Sequence, residues 1–414
     1  MEQSSARLVI LRLAQSGAGI LSSVLGTIFI FIVVARALDP GIFGLFAMTY
    51  AMASLCGIVF DFGYVTRLLR ETAPLVERHG GLPARVVHTK LALLVVLSPL
   101  LMLVGWVADV SLPLLAILWL GIGSLSVGNL FGTMLRSADM HLRDSAHLLI
   151  ANALGAALAV GLAAGLAGDD VAPEAFALAV ALIGVTYAGL TLRAWRRFFA
   201  IAPEGWSVAC IAGELRRNLS YALDVFTQRS FGFLDVAILA AVASPVAVGL
   251  YQAGQKIAQG ASIFAQPFNN VILPRLSRAA DQPRRWRALA LRFAALQVGM
   301  GVLAFAGLSL AGPMLVDLLY TEDYSQVRGY MWLFGALIGA RYAASSLAIM
   351  VTSRGLQAQR SAVNLTSLAC FAVAAYGLAG AYGAYGMIAA ATGAALLSAA
   401  GFALVLLTNG LRTP

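Results

Sequence analysis

Amide and hydroxyl side chains recur along residues 252–269 at the spacing of one helix face. They follow one another at intervals of three and four residues, which places them on the same side of an α-helix. The members are Gln252, Gln255, Gln259, Ser262, Gln266 and Asn269, with Lys256 on the shoulder of the face. Because amides both donate and accept hydrogen bonds, this face suits a polyhydroxylated ligand. The alternative is hydrogen bonding between helices.

Carboxylates occur in the apolar segment that precedes this face. Asp235 is eleven residues after Asp224, which is about 20° around a helix, so the two share one stripe while Arg229 points elsewhere. Asp235 and Lys256 lie on either side of a turn near Ser244, at similar heights. Two interpretations stay open: a structural ion pair, or a pair that opens and closes or whose lysine binds an anion.

Further charged residues interrupt apolar segments elsewhere. Arg341 lies among small residues, where its guanidinium favours bidentate phosphate binding or a structural partner. Arg12 begins a weakly polar face and can also extend towards lipid head groups. Asp61 ends an apolar run beside Gly63, where a role at a helix end is the alternative.

The composition places these polar groups in a membrane. The chain is 60% hydrophobic and 11% charged, with a mean hydropathy of +0.85, whereas soluble domains are about 25% charged. A charge at the bilayer centre costs about 2.5–3.5 kcal/mol on insertion scales. We therefore expect the polar face and the charges to line a water-filled cavity or a polar interface.

Twelve apolar segments are long enough to cross a bilayer as helices, since a span needs about 20 apolar residues. They are roughly 14–35, 42–60, 91–108, 113–132, 147–167, 175–192, 219–243, 246–272, 288–310, 328–350, 362–380 and 384–407. Most of the 28 Lys and Arg residues, Lys90 included, fall in alternate loops, which the positive-inside rule assigns to the cytoplasm together with both termini. The net charge of +9 thus reflects topology and suits anionic lipids rather than nucleic acid.

The two halves of the chain carry a related segment. Residues 39–53 and 244–258 share a proline, a glycine, a leucine and an alanine at equivalent positions: Pro40/Pro245, Gly44/Gly249, Leu45/Leu250 and Ala53/Ala258. With six spans in each half, the repeat is parallel. The predicted organisation is a six-helix bundle over 1–195, a cytoplasmic linker over 196–217 and a second six-helix bundle over 218–414.

Signatures of soluble catalysis are missing from the sequence. Neither lysine completes a phosphate-binding loop, and no H-E-x-x-H, C-x-x-C or G-x-S-x-G pattern occurs. The three cysteines have no ligand spacing. We therefore expect a protein that is not an enzyme and has no metal site or cofactor beyond a coupling Na⁺ or H⁺.

Two stretches carry a family resemblance. VVARALDPGIFGLFAMTYAMASLCGIVFDFG resembles the first helical hairpin of the Wzx-type polysaccharide flippases, and FLDVAILAAVASPVAVGLYQAGQKIAQ followed by VILPRLSR resembles their second half. These flippases belong to a multidrug, oligosaccharidyl-lipid and polysaccharide exporter superfamily that includes MATE antiporters and lipid II flippases. In this resemblance, Asp235 matches the aspartate of helix seven, and Lys256 matches a basic or aromatic residue of helix eight.

The resemblance implies an all-α, MATE-like membrane protein with about twelve spans in two six-helix bundles, V-shaped around a central cavity. It implies alternating access, driven by an ion gradient or the membrane potential, for a polyprenyl-diphosphate-linked oligosaccharide. We expect the anionic head group to bind Lys256, Arg341, Arg229 and Arg12. The amides Gln252, Gln255, Gln259, Gln266 and Asn269 are assigned to the sugar, and Asp235, Asp224 and Asp61 to coupling or gating.

Two rival functions stay open because Asp224 and Asp235 make the expected passage less than uniformly cationic. One is a cation-coupled multidrug or metabolite antiporter of the MATE type, and the other is a non-transport scaffold of a glycan-synthesis complex. The expected location is the bacterial inner membrane. The expected partners are the lipid-linked oligosaccharide, membrane lipids, a glycan polymerase and a chain-length regulator.

Overall fold

The computed structural model describes residues 21–68, 82–138, 140–165, 172–198, 200–202, 207–263 and 265–410. Inside these ranges, the side chains of a few residues, among them Asp224, Gln228 and Gln266, are outside the description. The chain divides into two compact units. Unit 1 holds Met1–Leu38 and Leu45–Phe233, and unit 2 holds Asp39–Gly44 and Leu234–Pro414.

Unit 1 is built from helices, most of them apolar. They are α1 (Leu21–Ala37), α2 (Pro40–Asp61, whose first turn belongs to unit 2), α3 (Ala84–Val107), α4 (Leu112–Ser137), α5 (His141–Gly165), α6 (Pro173–Trp195) and α7 (Val208–Arg229). Glycines allow α4 and α6 to pack backbone against backbone, because a Cβ on Gly184 would lie 1.9 Å from the Gly121 carbonyl oxygen. Small residues allow this close approach between membrane helices.

Unit 2 is built in the same way. Its helices are α8 (Phe231–Val242), α9 (Pro245–Ser262), α10 (Ala265–Arg278), α11 (Pro283–Leu310), α12 (Gly312–Leu319), α13 (Met331–Ser353) and α14 (Gln357–Gly410), with a 3₁₀ helix at Glu322–Tyr330 before α13. Gly383, at φ 57°, divides α14 into two helical segments, because this left-handed conformation is open to glycine at little cost.

The predicted all-α membrane architecture is confirmed. Each of the twelve predicted spans falls on a helix within the described ranges. Eight of these helices are long and apolar enough to cross a membrane, and Leu21–Ala37 and Phe231–Val242 are shorter apolar helices.

Two predicted spans differ from the structure because their helices are interrupted. The predicted span 219–243 changes helix at Ser230, where α7 ends and α8 begins. The predicted span 246–272 ends as α9 at Ser262 and resumes as α10 at Ala265. Pro267 has no N–H to donate to the preceding turn, which disfavours a continuous helix. The polar face along 252–269 is thus divided between two helices.

The segment 196–217, predicted as a linker, includes regular structure in its described part. Leu82–Pro83 (β1) pairs in parallel with Ile201–Ala202 (β2), and α7 already begins at Val208. Glu214 of α7 forms an ion pair with Arg67, and the amide of Asn218 donates to the Phe62 carbonyl. These contacts attach α7 to unit 1, so much of the segment that was predicted as a linker is packed there.

The sequence repeat corresponds to a shared helix start. Asp39 caps α2 by accepting from the backbone N–H groups of Gly41 and Ile42, at 2.7 and 3.1 Å. Ser244 caps α9 by accepting from Ala247 N at 3.3 Å. In both copies a proline follows the cap, at a position where its missing N–H costs nothing.

The repeated glycines lie where these two helix starts cross inside unit 2. A Cβ on Gly44 would lie 1.8 Å from the Pro245 carbonyl oxygen, and a Cβ on Gly249 would lie 2.0 Å from the Pro40 carbonyl oxygen. The contact is reciprocal, so the glycine identity in the repeat follows from a crossing that only glycine fits.

Candidate functional site

The centre of the candidate site in unit 2 is the buried carboxylate of Asp235. One of its oxygens accepts from the Tyr251 hydroxyl at 2.7 Å and from the Gln255 amide at 2.6 Å. The other oxygen accepts from the backbone N–H of Val236 at 2.7 Å. Asp235 is 1% exposed, so neutral donors replace the water that would otherwise solvate its charge.

Helix α9 positions these donors because Tyr251 and Gln255 are one helical turn apart on the face that meets α8. The hydroxyl of Tyr251 also accepts from the Gln255 amide at 3.2 Å. The Tyr251 ring packs on Phe334 of α13, with a centroid distance of 5.7 Å. This packing fixes the tyrosine while its hydroxyl holds Asp235.

Lys256 follows Gln255 on α9. It is 6% exposed, its ammonium donates to the Gln259 side-chain oxygen at 3.4 Å, and Asp235 attracts it electrostatically. Gln252 is buried, whereas Gln259 is half-buried. The polar face of α9 thus combines hydrogen-bond donors to a carboxylate of α8, a buried cation and amides in about three turns.

The polar face continues on α10 through Asn269. Its amide donates to the Ser345 hydroxyl of α13 at 2.8 Å, and its oxygen accepts from the Gln297 amide of α11 at 2.9 Å. Arg341, also on α13, is half-buried and interacts favourably with the charge of Asp235. The predicted residues Arg341, Lys256 and Asp235 therefore share one electrostatic environment in unit 2.

A second buried charge cluster lies in unit 1. The ammonium of Lys90 donates to the Phe60 carbonyl at 2.7 Å and to the Ser126 hydroxyl at 3.2 Å, and it lies 4.0 Å from the Asp61 carboxylate. Arg229 approaches the other oxygen of Asp61 at 3.9 Å and is half-exposed. Asp61 and Lys90 are both 5% exposed.

The assignment of Lys90 to a cytoplasmic loop is wrong. The residue lies inside α3, which begins seven residues earlier than the predicted span at 91 because Ala84 starts the helix directly after β1. Its position among Phe60, Ser126 and Asp61 provides the hydrogen-bond acceptors and the counter-charge that a buried ammonium needs.

A small cavity in unit 1 lies beside the polar residues Ser23 and Thr27 of α1. It holds about 40 Å³ and is lined by Ser23, Thr27, Tyr50 and Asn152, among others. The amide of Asn152 donates to the Ser22 hydroxyl at 3.3 Å. The volume and the polar lining suit one or two water molecules.

The structure thus brings the predicted site residues into two separate clusters. Asp235, Gln252, Gln255, Lys256, Gln259, Asn269 and Arg341 belong to unit 2, and Asp61 and Arg229 belong to unit 1. Arg12 lies outside the described residues, as do the side chains of Asp224 and Gln266. Within the described ranges, no group of three or more His, Cys, Asp or Glu residues could hold a metal ion.

The sequence interpretation did not assign three residues of these clusters to the site: Lys90, Tyr251 and Gln297. One signal for Lys90 was available, because lysine occurs only at positions 90 and 256 in a chain with 28 basic residues. Tyr251 lies four residues before Gln255, which is the spacing of neighbours on a helix face. Gln297 stands alone in an apolar helix, and no local pattern indicates it.

The fold and these clusters define a class of protein: a helical membrane protein with several candidate spans and with charges and amides buried between its helices. The model of the family described as "Polysaccharide biosynthesis protein" matches residues 13–280. The chain belongs to this polysaccharide biosynthesis family. No curated protein matches the chain.

Solved structures of transporters share the fold. An inward-facing multidrug resistance MATE transporter of the MOP superfamily aligns with a TM-score of 0.72 at 13% identity, over 95% of this chain and 96% of that chain. The lipid II flippase MurJ in its inward closed conformation aligns with a TM-score of 0.74 at 12% identity, over 95% and 87%. A MOP superfamily transporter from Pyrococcus furiosus gives 0.61 at 15% identity, over 97% and 95%. The predicted MATE-like fold is confirmed.

Proposed function

We propose that the chain is a flippase that carries a polyprenyl-diphosphate-linked oligosaccharide, an O-antigen or exopolysaccharide unit, across the bacterial inner membrane by alternating access. Membership in the polysaccharide biosynthesis family and the fold shared with a lipid II flippase support this proposal. The observation that carries it is Lys256, a cation buried in unit 2 within a row of amides. The N- and C-termini are proposed to be cytoplasmic.

The proposed roles follow from the chemistry of the side chains. Lys256 and Arg341 bind the diphosphate, since buried cations next to amide donors suit phosphate oxygens. Gln252, Gln259 and Asn269 contact sugar hydroxyls. In unit 1, Arg229 is a further cation for the head group and Asp61 a gating carboxylate.

Asp235 is proposed to couple transport to an ion gradient. In the structure its carboxylate engages the Gln255 amide. Binding of H⁺ or Na⁺ at Asp235 reduces the negative charge that holds this amide, and Gln255 then becomes available for a sugar hydroxyl. A change at one carboxylate thereby changes the affinity of the sugar site, which is the differential interaction that coupling requires.

The test is a flipping assay on the purified chain in vesicles. A fluorescent polyprenyl-diphosphate oligosaccharide is placed in one leaflet, and a membrane-impermeant glycosidase reports its arrival in the other. Lys256→Gln is expected to lower the rate at least tenfold, Lys256→Arg to retain much of it, and Arg193→Gln, an exposed arginine of unit 1, to leave it unchanged. Equal rates in Lys256→Gln and the unsubstituted chain would remove the proposal.

A cation-coupled antiporter is the second candidate, favoured by the fold shared with the MATE transporter and by the buried carboxylate. It predicts export of a cationic dye that is lost in Asp235→Asn and retained in Lys256→Gln. The flippase predicts that glycan transport is lost in Lys256→Gln as well as in Asp235→Asn, with no export of the dye. A glycan polymerase and a chain-length regulator are the proposed protein partners of the flippase.

A further inference from the structure

A basic cleft in unit 2 lies away from the buried cluster around Asp235. It forms where the end of α10 meets the beginning of α11, and it encloses about 640 Å³. Four arginines line it, Arg275 and Arg278 from α10 and Arg285 and Arg292 from α11. We name these four residues and the space between them the arginine cleft.

The four guanidinium groups have few protein partners. Arg278 donates to the Pro274 carbonyl at 3.2 Å, and Arg285 donates to the Gln282 side-chain oxygen at 3.4 Å. Both acceptors are neutral, and no ion pair among the described residues involves the arginines of the cleft. Four like charges around one space repel one another, so an anion in the cleft relieves this repulsion.

The cleft lies where the exposed surface of both helices changes from apolar to basic. On α10 the exposed apolar residues Phe268 and Val271 precede the arginines, and on α11 the exposed Val302 and Leu303 follow them. Such exposed apolar side chains face acyl chains in a membrane protein. Both helices therefore pass from an apolar surface to arginine at the same end.

A packed hydrophobic core lies next to the cleft and holds its two helices together. Leu276, Ala279 and Phe293 belong to this core together with Trp286, whose indole N–H donates to the Ser353 hydroxyl at 3.0 Å. The guanidinium of Arg354 lies 4.1 Å from the centre of the Trp286 ring. The helices that carry the four arginines are thus fixed relative to each other, and the arrangement exists before a ligand binds.

We propose that the arginine cleft binds the phosphate of a membrane-lipid head group. Guanidinium groups bind phosphate oxygens in pairs, basic pockets between membrane helices bind anionic head groups, and the volume exceeds that of a single phosphate. The same chemistry fits an anionic phospholipid and the diphosphate of a polyprenyl lipid. The site is distinct from Lys256 and does not depend on the proposed flippase function.

The test uses the full chain in detergent and native mass spectrometry with phosphatidylglycerol, polyprenyl diphosphate, diacylglycerol or inorganic phosphate. For at least one of the two phosphate-bearing lipids, the double variant Arg275→Gln/Arg285→Gln is expected to bind at least tenfold more weakly than the unsubstituted chain. The corresponding lysine variant should lie between them, since it keeps the charge but not the paired donors. Diacylglycerol, which has no phosphate, should not bind at the cleft.

The matched control is Arg216→Gln/Arg217→Gln, which removes two exposed arginines of α7 and should leave lipid affinity unchanged. Loss of phosphatidylglycerol binding alone identifies a phospholipid, and loss of polyprenyl diphosphate binding alone identifies the substrate lipid. The proposal is overturned if both lipids bind the cleft variant as they bind the unsubstituted chain, if the control loses as much affinity, or if inorganic phosphate binds as tightly as the lipids. Circular dichroism and melting temperature check that each variant is folded.

Discussion

The two lysines of the chain are both buried and each interacts electrostatically with an aspartate, but their surroundings differ. In unit 1, Lys90 lies 4.0 Å from Asp61, and Arg229 approaches the same carboxylate at 3.9 Å. In unit 2, the hydrogen bonds described for Asp235 come from a tyrosine, a glutamine and a backbone N–H, while Lys256 donates to an amide.

This difference separates a carboxylate that is held by nearby cations from one that is held by neutral donors. Asp61 and Lys90 compensate each other at close range, so either one depends on the other for its stability. Asp235 is stabilised by hydrogen bonds from neutral groups. Neutralising its charge therefore does not break an ion pair of the kind that joins Asp61 and Lys90. A coupling residue needs this property, because its protonation or ion binding must be reversible within a folded protein.

The largest expected effect is the loss of the carboxylate in unit 1. Asp61→Ala leaves Lys90 buried without its counter-charge and should lower the free energy of unfolding by about 3–5 kcal/mol. Chemical denaturation in micelles measures it. Asp61→Ala/Lys90→Met should recover part of the loss, and Asp235→Asn should cost less while abolishing coupled transport. If Asp235→Asn destabilises the chain as much as Asp61→Ala, the two clusters do not differ as described.

Removal of one donor to Asp235 should have the next largest effect. Tyr251→Phe deletes a hydrogen bond to a buried charge and should cost about 1.5–3 kcal/mol. Tyr320→Phe is the matched control, because the Tyr320 hydroxyl donates to the neutral Ala253 carbonyl at 3.0 Å, and its loss should cost about 0.5–1.5 kcal/mol. Equal costs for both tyrosines, measured by the same denaturation, would mean that Asp235 is not charged in the folded chain.

The crossing of the two helix starts at Gly44 and Gly249 is a feature that both copies of the repeat share, so substitutions at the two glycines should have similar effects. Gly44→Ala and Gly249→Ala each place a methyl group against a carbonyl oxygen, and each should lower the free energy of unfolding by about 1–3 kcal/mol. Gly161→Ala on α5, where nothing lies within 4 Å of the new Cβ, should be neutral or stabilising. A harmless substitution at only one of the two positions would contradict the reciprocal contact.

The smallest effect on stability is expected for an exposed ion pair, which serves as a reference for the buried ion pairs. Arg328 contacts the carboxylates of Asp317 and Glu322 at the surface of unit 2. Since water and salt screen exposed charges, Arg328→Ala should leave the melting temperature unchanged within error. A drop comparable to that of Asp61→Ala would show that burial is not what makes the Asp61 cluster important.

Periodicity predicts a local face but not its partner. The spacing of Gln252, Gln255 and Gln259 correctly indicates one helix face, since the 3.6-residue period is a property of the backbone. The hydrogen bond from Gln255 to Asp235 depends on how α8 packs on α9. No spacing within either helix predicts this packing. For the same reason, no sequence pattern indicates the role of Gln297, which donates to Asn269 of another helix.

Helix ends were the least predictable feature. Hydropathy located the spans, but α3 begins before its apolar run, and Lys90 is consequently inside the helix. The interruptions at Ser230 and after Ser262 also divide segments that were each predicted as one span. Apolar composition measures preference for the membrane, whereas a helix ends where backbone hydrogen bonds are lost or find other partners.

The sequence by itself determined that this chain is a helical membrane protein with a repeated helix start and with charges in its spans, because hydropathy, capping residues and periodicity are local properties. Only the tertiary structure decided which charge meets which partner: Lys90 with Asp61, Tyr251 and Gln255 with Asp235, and four arginines around one cleft. Such contacts join residues that are distant along the chain, and they arise from the packing of helices against one another.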